Sequence, residues 1–70
     1  MKLTLTEFLA VVGEHVTDTR EELLRRGYHP NVVYAKALKA ARKGYTEYGI
    51  VADRPWLTDK GKDWLKLHPG

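Results

Sequence analysis

Cationic side chains are concentrated on one side of a helix that we predict over residues 31–43. On a helical wheel of about 100° per residue, the cations occupy one arc and aliphatic or tyrosine side chains occupy the other. The cationic arc holds Lys36, Lys39, Arg42 and Lys43, and the apolar arc holds Val33, Tyr34, Ala37, Leu38, Ala40 and Ala41. We expect the apolar arc to face the core, which leaves the cations free to neutralise a polyanion.

The cations of this region have no acidic neighbours in the sequence. No Asp or Glu occurs over residues 24–45, which also contain Arg25 and Arg26. A lysine-bearing helix face is often only solvated, but such faces usually mix both signs of charge, so this segregation favours an anionic partner. Two small side chains, Val32 and Ala35, share the cationic arc, and they would let the helix backbone approach a groove closely.

Length and composition predict one small domain over residues 1–70. Seventy residues bury a single core, and the absence of cysteine excludes disulfides and thiolate metal sites. No stretch approaches the roughly 20 apolar residues that cross a membrane, so we expect a cytoplasmic protein without membrane contact. The net charge of +3 is unevenly distributed: residues 1–24 carry two cations against five acids, net −3, and residues 25–70 carry ten against four, net +6.

The first half of the chain predicts two helices. A Thr-x-x-Glu capping box from Thr4 to Glu7 begins the first, which we expect to end near His15 or Val16. Its core stripe is Leu5, Phe8, Leu9, Val12 and Val16. The second helix is predicted over residues 20–26, with Thr19 or Asp18 as its cap and Gly27 just beyond its end.

The second half predicts a β-hairpin and a last helix. Gly44 ends the basic helix, after which the hydrophobic pattern becomes strand-like. The predicted elements are a strand over residues 45–51, a turn over 52–55, a return strand over 56–58 and a helix over 59–67. Thr58 is expected to cap that helix.

The order helix, helix, helix, hairpin, helix resembles a winged helix-turn-helix domain. The run Trp56-Leu57-Thr58-Asp59-Lys60-Gly61-Lys62 is similar to a segment common where the second wing strand enters the final helix in that superfamily. The resemblance covers nearly the whole chain at superfamily level. It implies a small α+β fold, mostly α, with three helices, a β-hairpin wing and a short C-terminal helix.

The resemblance further implies a protein that binds double-stranded DNA at specific sequences, namely a small prokaryotic or phage transcriptional regulator. Its third helix would enter the major groove, and hairpin 45–58 would contact the backbone or minor groove. The candidate DNA-binding residues are Asn31, Val32, Ala35, Lys36, Lys39, Arg42, Lys43 and Arg54. The lysines and arginines suit phosphates, Asn31 suits adenine, Lys36 suits guanine and Val32 suits a thymine methyl group.

Several of these residues also have ordinary structural interpretations. Asn31 can cap the helix, Val32 can edge the core, and Arg54 can pair with Asp53. Lys60 and Lys62 can touch phosphate or be solvated. We expect core packing rather than base stacking for the aromatic side chains Tyr34, Tyr45, Tyr48, Trp56 and Trp64.

Other functions remain as alternatives. No catalytic motif or cofactor loop is present in the sequence, so we expect neither an enzyme nor a cofactor. A zinc site built from His15, His29 and an acid is a weak alternative. The stronger one is a winged-helix adaptor that docks on a larger regulatory or polymerase complex through the acidic first half and the aromatics Tyr28 or Tyr48. A homodimer is compatible with DNA binding, because one domain reads only a short site.

Overall fold

A computed structural model describes residues 2–14, 18–47 and 56–68. Within these ranges the elements are α1 (Leu5–Glu14), α2 (Thr19–Arg25), α3 (Pro30–Arg42), β1 (Thr46–Glu47), β2 (Trp56–Leu57) and α4 (Asp59–Leu67). The two strands pair antiparallel, with Thr46 opposite Leu57 and Glu47 opposite Trp56. The predicted class, α+β and mostly α, is confirmed. The described helices include none with the length and apolar character needed to cross a bilayer.

Helix α1 lies at the centre of the domain and contacts α2, α3, α4 and β2. Four of its side chains are buried: Phe8, Leu9, Val11 and Val12. The other buried apolar residues are Leu3, Leu23, Tyr28, Val33 and Ala40. The predicted stripe missed Val11, because α1 is enclosed on more than one side.

One of the two hydrogen bonds of the predicted capping box forms at the start of α1. The hydroxyl of Thr4 accepts a hydrogen bond from the Glu7 amide at 3.1 Å. The Glu7 carboxylate, however, accepts bonds from the Tyr28 hydroxyl at 2.5 Å and from the Arg26 guanidinium at 3.2 Å. Glu7 therefore ties α1 to the end of α2. The predicted end of α1 near His15 or Val16 lies outside the described residues.

Helix α2 is short and has a well-defined end. Asp18, one of the two predicted caps, occupies the N-cap position, and Thr19 is a buried first helical residue, so the alternative cap at Thr19 was wrong. At the other end Gly27 has a φ of 100°. Its amide bonds the Leu24 carbonyl and the Tyr28 amide bonds the Leu23 carbonyl, which is a Schellman motif.

Helix α3 begins and ends one residue earlier than predicted. The His29 imidazole, at its Nδ1, accepts a hydrogen bond from the Asn31 amide at 3.1 Å, so His29 is the cap and the capping interpretation of Asn31 was wrong. Pro30 occupies the first helical position, where its missing amide hydrogen costs nothing. A second Schellman motif at Gly44 (φ 79°) ends the helix.

The chain turns from α3 through the strands into α4 at a close backbone crossing. Thr58 caps α4 as predicted, accepting from the Gly61 amide at 3.1 Å. Gly61 lies against Tyr45, so that a Cβ at this position would come within 2.1 Å of the Tyr45 carbonyl oxygen. The rest of the predicted hairpin, residues 48–55, lies outside the described residues.

Candidate nucleic-acid interface

The candidate interface is the outward arc of α3. Its residues span about 140° of a helical wheel. They are Asn31, Val32, Ala35, Lys36, Lys39, Arg42 and Lys43, all exposed except Lys36, which is half-buried. The helix buries Val33 and Ala40 on its other side and contacts α1, α2 and β1. The arc is therefore displayed by a helix that is anchored through its opposite side.

The cations of this arc have no carboxylate partners among the described residues. The ion pairs Glu22–Arg25, Glu22–Arg26 and Glu7–Arg26 lie near the end of α2, and none of them involves α3. No described carboxylate therefore neutralises the positive charge that Lys36, Lys39, Arg42 and Lys43 carry. An unpaired surface charge of one sign is available to an anionic ligand at little desolvation cost.

Arg25 and Arg26 do not belong to this unpaired group, although the sequence predicted no local counter-ions for them. Arg25 pairs with Glu22 at 2.5 Å. Arg26 pairs with Glu22 at 2.8 Å and with Glu7 at 3.2 Å. The Glu22–Arg26 spacing of i,i+4 is a common helical ion pair, whereas the Glu7 contact joins two helices. Arg25 and Arg26 therefore do not extend the unpaired positive charge of the α3 arc, although the sequence had indicated that they would.

A surface depression of about 410 Å³ opens beside the N-terminal half of α3. Its lining comprises Lys2 and Leu3 from the segment before α1 and Val32, Ala35, Lys36 and Lys39 from α3. Burial lowers the pKa of Lys36, and the nearby charges of Lys39 and Lys2 lower it further. The depression thus combines apolar walls with mutually repelling cations.

Lys2 is the one lining cation that the sequence interpretation missed. Leu3 is 1% exposed, and its burial in the core holds the neighbouring Lys2 next to α3. A lone lysine two residues before a helix cap carries no pattern that predicts this placement. The contact depends on how α1 and α3 cross, which local sequence does not encode.

The remaining predicted contacts lie apart from this arc or outside the described residues. Arg54, with its alternative partner Asp53, is among the residues that the structure does not describe. Lys60 lies over the ring of Tyr45, with 5.6 Å from its Nζ to the ring centroid, and Lys62 is exposed. Neither lysine lines the depression beside α3.

The aromatic side chains divide into core and surface groups. Tyr45 and Trp64 pack against the core with ring centroids 5.6 Å apart, as predicted. Tyr34 is 66% exposed and Trp56 is 44% exposed, so the prediction of core packing was wrong for both. Tyr28 is buried, which removes it from the predicted adaptor surface, and Tyr48 lies outside the described residues.

The described residues contain no cluster of three or more His, Asp or Glu side chains that can hold a metal ion. His29 instead uses its Nδ1 to cap α3, while His15 lies outside the described residues. The described part of the chain therefore lends no support to a zinc site involving His29.

Comparison of the chain with protein-family models, with curated proteins and with solved structures gives no match. The functional interpretation consequently depends on the geometry and charge of the chain itself.

Proposed function

We propose that this protein binds double-stranded DNA through the outward arc of α3, as a small transcriptional regulator with a winged helix-turn-helix architecture. The observation that carries the proposal is the row of four α3 cations without carboxylate partners among the described residues. Each such cation can neutralise one phosphate, and the released counter-ions supply most of the affinity.

The distribution of side chains along α3 supports insertion into a groove. The N-terminal half of the arc carries the small or short residues Asn31, Val32 and Ala35, and the C-terminal half carries Lys39, Arg42 and Lys43. The short side chains let the first turns of the helix approach a groove closely, and the long cations of the last turns can reach the backbone. Asn31, at the edge of the arc away from Lys36, can bond adenine.

The neighbouring elements support a winged arrangement. Helices α2 and α3 contact one another across the short turn at Gly27, and the strand pair follows α3 directly. In this architecture the second helix of the pair enters the major groove and the hairpin contacts adjacent backbone. A DNA contact by Arg54 stays a prediction from the sequence, because this residue lies outside the described ranges.

Fluorescence anisotropy with a labelled duplex, titrated over a range of salt concentrations, tests the proposal. We expect the wild type to bind with a steep salt dependence. The triple variant Lys36→Ala, Lys39→Ala and Arg42→Ala should lose affinity, and its slope of log K against log salt should shrink by about 0.9 for each phosphate contact removed.

The matched control removes the same charge elsewhere. Lys60, Lys62 and Lys66 lie on α4 and are exposed, so their triple alanine variant has the same net charge as the α3 variant. The control should retain most of the wild-type slope. Equal losses of affinity in both triple variants would show that only net charge matters and would contradict the α3 arc as the interface. Absence of DNA binding by the wild type would contradict the proposed function.

Selection of bound sequences from random duplexes tests whether binding is sequence-specific. We expect an enriched site whose preferences relax at one position in Asn31→Ala, since that residue lies among the bases in the proposed docking. Selection that enriches no sequence would leave only non-specific backbone binding.

Exposed aromatics favour a second candidate function, docking on a protein partner. Tyr34 on α3 and Trp56 on β2 each present a large ring to solvent, and such residues are enriched at binding interfaces. This function predicts no measurable DNA affinity. It also predicts that Tyr34→Ala and Trp56→Ala abolish a specific complex without lowering thermal stability.

A further inference from the structure

The depression beside α3 has two walls from separate parts of the chain. Lys2 and Leu3 form one wall, and Val32, Ala35, Lys36 and Lys39 form the other. Leu3 belongs to the core, so the first wall is anchored to the body of the domain. Each wall therefore contributes at least one cation and at least one apolar side chain.

This combination selects among anionic ligands. A compact inorganic anion would use the lysines but leave the apolar surface of Val32 and Ala35 in contact with water. A deoxyribose with its two flanking phosphates presents an apolar C–H surface between two negative charges. That pattern matches a depression in which each wall carries both a cation and apolar surface.

We propose that the depression holds one deoxyribose of the DNA backbone, with Lys2 on one flanking phosphate and Lys36 on the other. The inference rests on the DNA binding proposed above and deepens it, because it adds a contact outside α3 and sets where one strand runs. The backbone would pass along the Lys36 edge of the arc, between α3 and the segment that leads into α1, and would leave Asn31, at the opposite edge of the arc, available to a base.

The charges around the depression support this occupant. Lys39 and Lys2 each repel the positive charge of Lys36, and no acid among the described residues neutralises these lysines. Two phosphates would replace this repulsion with attraction. The depression is open to solvent, as required for a ligand that is one unit of a continuous strand.

The first test compares Lys2→Ala with Lys66→Ala in the salt titration. Both variants remove one exposed lysine, but only Lys2 lines the depression. We expect the slope of log K against log salt to fall by about 0.9 in Lys2→Ala and to stay unchanged in Lys66→Ala. Circular dichroism melting of both variants checks that the fold is retained.

The second test locates the phosphates. On a duplex selected for binding, single phosphates are replaced in turn by neutral methylphosphonates. We expect one replacement to weaken the wild type but not Lys2→Ala, and another to weaken the wild type but not Lys36→Ala. These two positions should be consecutive on one strand, because one deoxyribose lies between them.

The outcomes separate this inference from the function on which it rests. Salt-dependent binding by the wild type with an unchanged slope in Lys2→Ala would overturn the inference and leave the function. Sensitive phosphates that are not consecutive would also overturn it. Absence of DNA binding by the wild type would contradict both this inference and the proposed function.

Discussion

The hydroxyl of Thr58 donates a hydrogen bond to the backbone carbonyl of Gly44 at 2.6 Å. The same oxygen accepts from the Gly61 amide, and the Thr58 amide donates to the Tyr45 carbonyl at 3.0 Å. One residue thus joins the end of α3 to the start of α4. The direction in which the chain leaves the basic helix is held by polar contacts as well as by apolar packing.

Replacing Thr58 should destabilise the domain more than replacing the other threonine cap. We expect Thr58→Ala to lower the free energy of unfolding by about 1–2 kcal/mol, because it removes both the α4 cap and the donor to Gly44. Thr4→Ala removes one exposed cap bond and should cost about 0.5–1 kcal/mol. Urea unfolding measures both. Thr58→Ser, which keeps the hydroxyl, should restore most of the loss, and an equal cost for all three variants would contradict this account.

Two helical glycines should respond differently to alanine. In a helix Gly→Ala ordinarily gains up to about 1 kcal/mol. At Gly61 the new Cβ would lie 2.1 Å from the Tyr45 backbone oxygen, so we expect a net loss of about 1–3 kcal/mol. At Gly13 the nearest atom is Leu57 Cδ1 at 3.2 Å, the flexible end of a side chain, so the change should stay within about 1 kcal/mol of zero. Denaturant midpoints compare the pair, and a Gly61→Ala variant as stable as the wild type would refute the close crossing.

The Tyr28–Glu7 contact should make stability fall at alkaline pH. The hydrogen bond to the Glu7 carboxylate raises the pKa of Tyr28, and burial acts in the same direction. The neutral phenol is thus favoured in the folded state. Its contribution is complete below the unfolded pKa of about 10 and is lost as pH rises through the higher folded value.

Tyr28→Phe should therefore show a shallower loss of stability above about pH 10 than the wild type. Tyr34→Phe is the control, because the Tyr34 side chain is 66% exposed and makes no hydrogen bond to a described residue. It should follow the wild-type curve. Denaturant unfolding across the alkaline range measures the slopes, and identical slopes for wild type and Tyr28→Phe would rule out this linkage.

The lowered pKa of Lys36 predicts that the proposed DNA binding depends on pH. Burial and the charges of Lys39 and Lys2 favour the neutral amine in the free protein, whereas a phosphate favours the ammonium form. Binding should therefore take up protons, and affinity should fall as pH rises toward the ordinary lysine pKa of about 10.4. Lys36→Arg keeps its charge and should flatten this part of the profile, which anisotropy at constant ionic strength can measure. A profile unchanged by Lys36→Arg would place Lys36 away from phosphate.

Local signals in the sequence were sufficient for three of the helix ends. Gly27, Gly44 and Thr58 act where their backbone freedom or hydroxyl chemistry predicted. His29 was missed as a cap because imidazole is an uncommon capping group, while Asn31 two residues later is a common one. The Glu22–Arg26 ion pair could also have been predicted from its i,i+4 spacing in the sequence.

Contacts between distant segments were not predictable. Tyr34 lies at the edge of the apolar arc, and only the actual packing of α3 determines that it is exposed. The bonds of Glu7 to Tyr28 and Arg26 and the position of Lys2 beside α3 likewise depend on how helices cross. Sequence periodicity indicates which face of a helix is buried, but not which neighbour lies opposite.

The glycine turns at Gly27 and Gly44, together with Pro30, set both ends of α3, while Val33 and Ala40 secure its inner side. None of these positions belongs to the outward arc. The seven positions of the arc can therefore be randomised in a library while the residues that fix α3 are kept constant. The domain is in this sense a compact scaffold for engineering new surface specificities.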